Sequence, residues 1–291
     1  MEKSPSWYPF RKGGRASVLL FAMGLLSLQA SAGPPFLTDD PEPVEKGHGE
    51  LYLSSQHTWS RDDRTGTLPH FELNYGPIED VQLHLIAPFA YDRPRDTGTM
   101  REGYGDTELG VKWRFLHEDT LFKGCPQIGT FPLVELPTGD HRRGLGNGKT
   151  QAFLPLWLQK SWGQENRQWT TYGGGGAWLN PGAGNKDYWF TGAVLQKQVA
   201  DRLTLGGEVF HSGASSQTAS SHTGFNLGGI FDITRHWHFL FSAGRDFQGD
   251  NRLTAYVGLQ LTFGRSPSRE PTSSHEGNRP PGLIQGDHSG R

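Results

Sequence analysis

Between Asp106 and Phe115 charged and apolar residues take turns: Glu108, Lys112 and Arg114 stand at even positions, and Leu109, Val111, Trp113 and Phe115 at odd ones. Successive side chains of an extended strand point to opposite faces, so the charges share one face and the apolar groups the other. The same parity puts Glu72, His84, Glu208, Asp232 and His238 on the polar faces of their own segments, and Glu135 too if Val134 and Leu136 take the apolar face. A wall carrying both signs of charge can close into an ion-pair network or line a polar path. Ion pairing is the favoured reading, because a small ring of strands is partly filled by its own side chains. Phe153 and Trp157 share the parity of Gln159. Stacking on an aromatic solute and packing against the glycines at 173–176 both fit them.

Other chemistries are weaker. Gly148-Lys149-Thr150 copies the end of a phosphate-binding loop, but the first glycine would fall at position 143, an arginine, and no helical pattern follows. His236 and His238 share a strand face and flank Trp237. That arrangement reads as part of an interfacial aromatic girdle rather than a metal clamp, so neither metal nor cofactor is expected. A lipid hydrolase needs a serine within reach of a basic histidine. No histidine has a serine two positions on, and the adjacent His211 and Ser212 point to opposite strand faces. No Gly-x-Ser-x-Gly elbow is present either, so catalysis is not expected. With a net charge of −2 and no basic patch, the chain offers nucleic acid no footprint.

The elements that must position these groups are strands. About twelve alternating segments can be read, near 48–59, 67–75, 81–91, 105–116, 126–136, 150–161, 168–179, 188–199, 203–212, 222–232, 236–247 and 251–263. Each is close to the length a tilted membrane strand needs. Turns at 76–80, 200–202 and 233–235 are short, whereas connections at 92–104, 137–149 and 212–221 are long and polar. Short turns on one side and long loops on the other, with an even strand number, describe an all-β, antiparallel up-and-down transmembrane barrel. In the last segment Tyr256, Gly258, Leu261 and Phe263 follow the spacing of a barrel-closing C-terminal strand. Trp59, Tyr75, Tyr91, Trp113, Trp178, Trp189 and Phe263 sit near segment ends and are assigned to the aromatic girdle.

Composition agrees. Hydrophobic residues make up only 34% of the chain, yet it carries 40 Gly, 17 Phe and 9 Trp, as expected when half of every strand faces a wet interior. Lys3, Arg11, Lys12 and Arg15, the apolar run 16–28 and Ala30-Ser31-Ala32 have the order of a secretory signal peptide over 1–32. Residues 33–47, rich in Pro and acidic groups, read as an irregular periplasmic segment. The barrel occupies 48–263, and 264–291 has the composition of a disordered tail. Cys125, alone, makes no intramolecular disulfide.

Several stretches together resemble a known family: Thr38-Asp39-Asp40-Pro41 with Gly47-His48-Gly49-Glu50-Leu51, Leu73-Asn74-Tyr75-Gly76, the run from Gly103 to Phe115, and Glu135-Leu136-Pro137-Thr138-Gly139-Asp140. The chain resembles the outer-membrane proteins named after the MetA pathway of phenol degradation, over nearly all of 33–263. The resemblance implies an outer-membrane barrel grouped with transporters and associated with aromatic catabolism; it supplies no binding residues. The expected function is diffusion of small hydrophobic or aromatic molecules across the outer membrane. The alternatives are a plugged barrel with a structural, adhesion or sensor role and, further off, a lipid hydrolase. Outer-membrane lipids, the barrel-assembly machinery and a small solute are the expected partners, with the oligomeric state left open.

Overall fold

Alternation written over ten or more residues leaves a strand one polar and one apolar face, and here every such strand finds two neighbours. The structure, a computed structural model, describes residues 34–164 and 167–264. Its strands are β1 (His48–Trp59), β2 (Asp63–Ile78), β3 (Val81–Pro94), β4 (Arg101–Tyr104), β5 (Thr107–Leu116), β6 (Gln127–Thr130) and β7 (Leu133–Leu136). They continue as β8 (Gln151–Trp162), β9 (Trp169–Leu179), β10 (Tyr188–Ala200), β11 (Leu203–Ser212), β12 (His222–Asp232), β13 (Trp237–Gln248) and β14 (Leu253–Gly264). The expected leader and tail lie outside the described residues, apart from Gly264, which ends β14.

All pairings between the named strands are antiparallel, and they run round a closed ring of twelve staves. β4 and β5 are two parts of one stave, both paired with β3, and β6 and β7 are two parts of another, lying between β5 and β8. Proline accounts for the interruptions, since it has no N–H to give to a ladder. Phe131-Pro132 separates β6 from β7, and Pro88 lies opposite the gap after β4, where the Gly105 N–H donates to its carbonyl at 2.9 Å. β1 and β14 close the ring through twelve paired residues, from His48 with Gly264 to Trp59 with Leu253. In that seam Phe263 lies over Gly49, where a Cβ would come within 2.6 Å of the ring, and Tyr256 and Gly258 face inward.

The two faces are inverted relative to a water-soluble domain. Leu109, Val111, Trp113, Phe115, Leu154, Leu156 and Leu205 are exposed on the outside, whereas Glu72, His84, Lys112, Gln159, Gln196 and Glu208 are buried. An apolar exterior round a polar interior is what a hydrocarbon surround selects. The end at which β1 begins and β14 ends has short turns at 79–80 and 201–202, and the far end carries the loops 137–150, 180–187 and 213–221.

Where β8 meets β9, Trp157 lies opposite Gly174 and Pro155 opposite Gly176. Gly174 has a φ of +152°, and a Cβ there would run into the Leu156 carbonyl and lie 3.1 Å from the Trp157 ring. Gly174→Ala is therefore expected to lower the urea midpoint of the refolded barrel by the equivalent of about 1–3 kcal/mol. Gly207→Ala, which meets only the flexible Leu227 side chain, should stay within about 0.5 kcal/mol of the parent.

Candidate functional site

The interior has two unlike walls and a segment of chain between them. On β2, β3, β5 and β7 the polar parity brings Glu72, His84, Glu108 and Glu135 together. The Asn74 amide donates to Glu72 at 2.9 Å, and its carbonyl oxygen lies 2.6 Å from His84 Nδ1. His84 Nε2 is 3.1 Å from Glu108 Oε1. Glu108 and Glu135 occupy directly opposed positions on adjacent strands. Like charges so placed repel, and the surrounding donors offset this: His84 serves Glu108, and the Asn147 amide serves Glu135. The loop 137–150 is drawn over this wall, with the N–H groups of Gly139 (2.8 Å) and Asn147 (2.5 Å) on Asp106 and Leu145 buried.

Residues 34–47, read from sequence as irregular, run inside the ring. Asp39 and Asp40 take the Lys112 ammonium at 2.8 and 3.3 Å. The backbone N–H groups of Leu37 and Thr38 donate to the two oxygens of Glu208, at 3.2 and 2.5 Å. Glu42 receives the Gln159 amide at 2.8 Å and lies 3.8 Å from Arg114, and the Val44 N–H donates to Gln82 at 2.9 Å. On the other side Ser242 donates to the Pro35 carbonyl at 2.6 Å. Lys112, Arg114 and Glu208 thus hold the segment across the lumen. Gly192 makes room for it, since a Cβ there would collide with the Thr38 hydroxyl.

The adjoining wall is aromatic. Phe153 stacks on Trp178 at 4.9 Å between ring centres, Trp178 on Tyr188 at 6.0 Å, and Phe190 on Phe210 at 6.4 Å. Phe131, Phe153 and Trp157 form one buried cluster, with Lys112 5.0 Å above the Phe131 ring. The arc spans β8 to β11. Trp178 belongs to it by parity with Tyr172 and Gly174, which corrects its assignment to the outer girdle. Trp157 packs on the glycine stretch as one sequence alternative had it, yet its indole N–H is buried without a hydrogen-bond partner among the described residues, as is Gln159 Oε1.

The remaining inward residues are nearer the terminus-bearing end. His238 is buried and paired with Asp232 at 2.6 Å, while His236 is exposed just before β13, so the two do not share a site. Tyr52 donates to Glu50 and accepts from Gln260, and it packs with Tyr256. Among the described residues no group of three or more His, Cys, Asp or Glu is arranged to hold a metal. Sequence reasoning missed Asp39, Asp40 and Glu42 because they lie outside any alternating segment. It missed Phe190 and Phe210 although their parity marks them as inward.

No family model matches the chain, and no curated protein matches it. Among solved structures, an outer-membrane channel from Pseudomonas putida F1 is similar, with a TM-score of 0.62 and 15% identity over 77% of this chain and 98% of that one. The translocator domain of the autotransporter NalP from Neisseria meningitidis aligns at a TM-score of 0.49 and 10% identity, over 75% of this chain and 90% of that one. The first likeness establishes the barrel fold; the second is too remote to add to it.

Two outcomes test this anchoring. Lys112→Met leaves Asp39 and Asp40 facing each other without a cation, at an expected cost of about 3–5 kcal/mol in urea unfolding; adding Asp39→Asn and Asp40→Asn should restore part of it. At the β2–β3 turn, burial pushes the Asp80 carboxyl up, but hydrogen bonds from Arg114 and His117 outweigh that and hold it below the usual range. A depressed carboxyl stabilises the fold above its unfolded pKa of about 3.9, and the gain is lost as pH falls through the folded value. Asp80→Asn should lower stability at pH 7 and flatten the acid limb of the stability profile below about pH 4.

Proposed function

We propose that this chain is an outer-membrane channel for small hydrophobic or aromatic molecules, which cross by passive or facilitated diffusion. The observation that carries the reading is the aromatic arc Phe153, Trp178, Tyr188, Phe190 and Phe210 continuing from a wall of carboxylates inside a closed barrel. Rings lining a path bind a planar apolar solute weakly and repeatedly, which speeds transfer without trapping it. Glu72, Glu108, Glu135 and Asp106 line the adjoining wall, while Lys112 is consumed by Asp39 and Asp40. Coulombic repulsion from these carboxylates disfavours anions, so neutral and cationic solutes pass in preference to aromatic acids.

Supporting context comes from the motifs that resemble those of the phenol-degradation family and from the barrel fold held in common with an outer-membrane channel. In this reading the termini face the periplasm, the long loops face outward, the outer face meets lipid, and β14 is the strand that the assembly machinery receives. A second reading has its own observation: residues 34–47 are fastened across the lumen on several sides, as in a barrel that does not conduct.

Planar-bilayer recordings on the refolded mature protein separate the two. A channel gives small discrete conductance steps, cation-selective by reversal potential, that a phenol reduces and a sugar does not. Gly192→Val, whose side chain takes the space of Thr38, should raise the step size by dislodging the segment. If parent and variant are both silent while heat-shifted gel mobility shows them folded, the channel reading fails and the structural one stands.

A further inference from the structure

Charge interrupts the outer face at the far end of β1 to β4. Register places Trp59 opposite Arg64, and Arg64 opposite Arg93. These side chains share the outward face with His57, Phe89 and Tyr91, and they line a groove of about 330 Å³ closed on one side by Met100. The groove is built rather than accidental. A Cβ on Gly66 would lie 2.8 Å from the Tyr91 hydroxyl, so glycine there lets the tyrosine ring lie across β2 and reach His57 Nδ1 at 2.7 Å. His57 in turn is 5.6 Å from the Trp59 ring, which gives a continuous aromatic floor.

Two arginines directly opposed on neighbouring strands repel, and the repulsion grows where hydrocarbon lowers the dielectric. Among the described residues neither Arg64 nor Arg93 makes an ion pair; Arg93 Nε donates to the Gly98 carbonyl at 3.1 Å. Glu102, the one carboxylate in the groove, stands opposite Tyr91 rather than between the arginines. An anion bridging two guanidinium forks would turn this repulsion into binding, and phosphate has the matching geometry. The groove also opens sideways onto exposed Leu68, Phe89 and Met100, surface suited to an acyl chain and not to a soluble ion.

We propose that this groove holds a phosphorylated glycolipid of the outer leaflet, with phosphate on Arg64 and Arg93, sugar over Trp59 and Tyr91, and an acyl chain along Phe89 and Leu68. The inference rests on the barrel lying in the outer membrane with its long loops outward, but not on whether it conducts.

The test is native mass spectrometry of the refolded full chain in detergent with bis-phosphorylated lipid A, with dephosphorylated lipid A, or with inorganic phosphate. Retention of bis-phosphorylated lipid A is expected, with a loss of about tenfold or more in affinity on dephosphorylation or in Arg64→Gln/Arg93→Gln. Arg245→Gln, on β13 outside the groove, should bind as the parent does. Heat-shifted gel mobility shows whether each variant is folded, and Arg64→Lys/Arg93→Lys, which keeps the charge, should retain part of the binding. Equal retention of the dephosphorylated lipid, undiminished binding by the folded Arg64→Gln/Arg93→Gln variant, or competition by equimolar inorganic phosphate would overturn the assignment. None of these readouts depends on conductance.

Discussion

A peptide group in hydrocarbon has no water to bond, so the closure of the hydrogen-bonded ring is the constraint on which everything else in this barrel depends. The seam between β1 and β14 meets it through twelve paired residues. The Phe263 ring laid over Gly49 and the inward Tyr256 beside Gly258 show how side chains tighten that seam. Where proline breaks the ladder, at Pro88 and Pro132, it withholds a donor but its carbonyl still accepts across the gap, from the Gly105 N–H at Pro88 and the Val111 N–H at Pro132.

Closure turns the problem of burial inside out. Polar groups crowd the interior, and each must find a partner there, because removing a charge from water without compensation is expensive. The chain solves this in part with its own N-terminal segment. Asp39 and Asp40 neutralise Lys112, and Glu208 is capped by two backbone N–H groups of that segment and by the Asn226 amide. Anchors spread over several strands make the segment a structural member as well as an obstruction. The same contacts that stabilise the lumen also narrow it.

What remains of the lumen is asymmetric. The stacked rings of β8 to β11 adjoin carboxylates from β2 to β7, and the 137–150 loop is drawn over the acidic side through Asp106. In the proposed channel, an aromatic path beside fixed negative charge would select by shape and by sign together, because rings alone accept any planar apolar group and carboxylates alone any cation.

Period-two alternation, together with an even number of long segments joined by short turns and long loops in alternation, determined most of the fold, since such strands satisfy both faces in a ring between lipid and lumen. It located β1, β11 and β12 to the residue, and it put Glu72, His84, Glu108, Lys112, Arg114 and Glu208 on the inner side. Alternation says which face a side chain takes but not what waits across the lumen. Only the tertiary structure brought Asp39 and Asp40 to Lys112, set Glu108 against Glu135, and turned Trp178 from the supposed girdle into the aromatic arc. The first of those contacts runs through an irregular segment that carries no periodic signal, and the other two depend on the register between neighbouring strands, which exists only once those strands have paired.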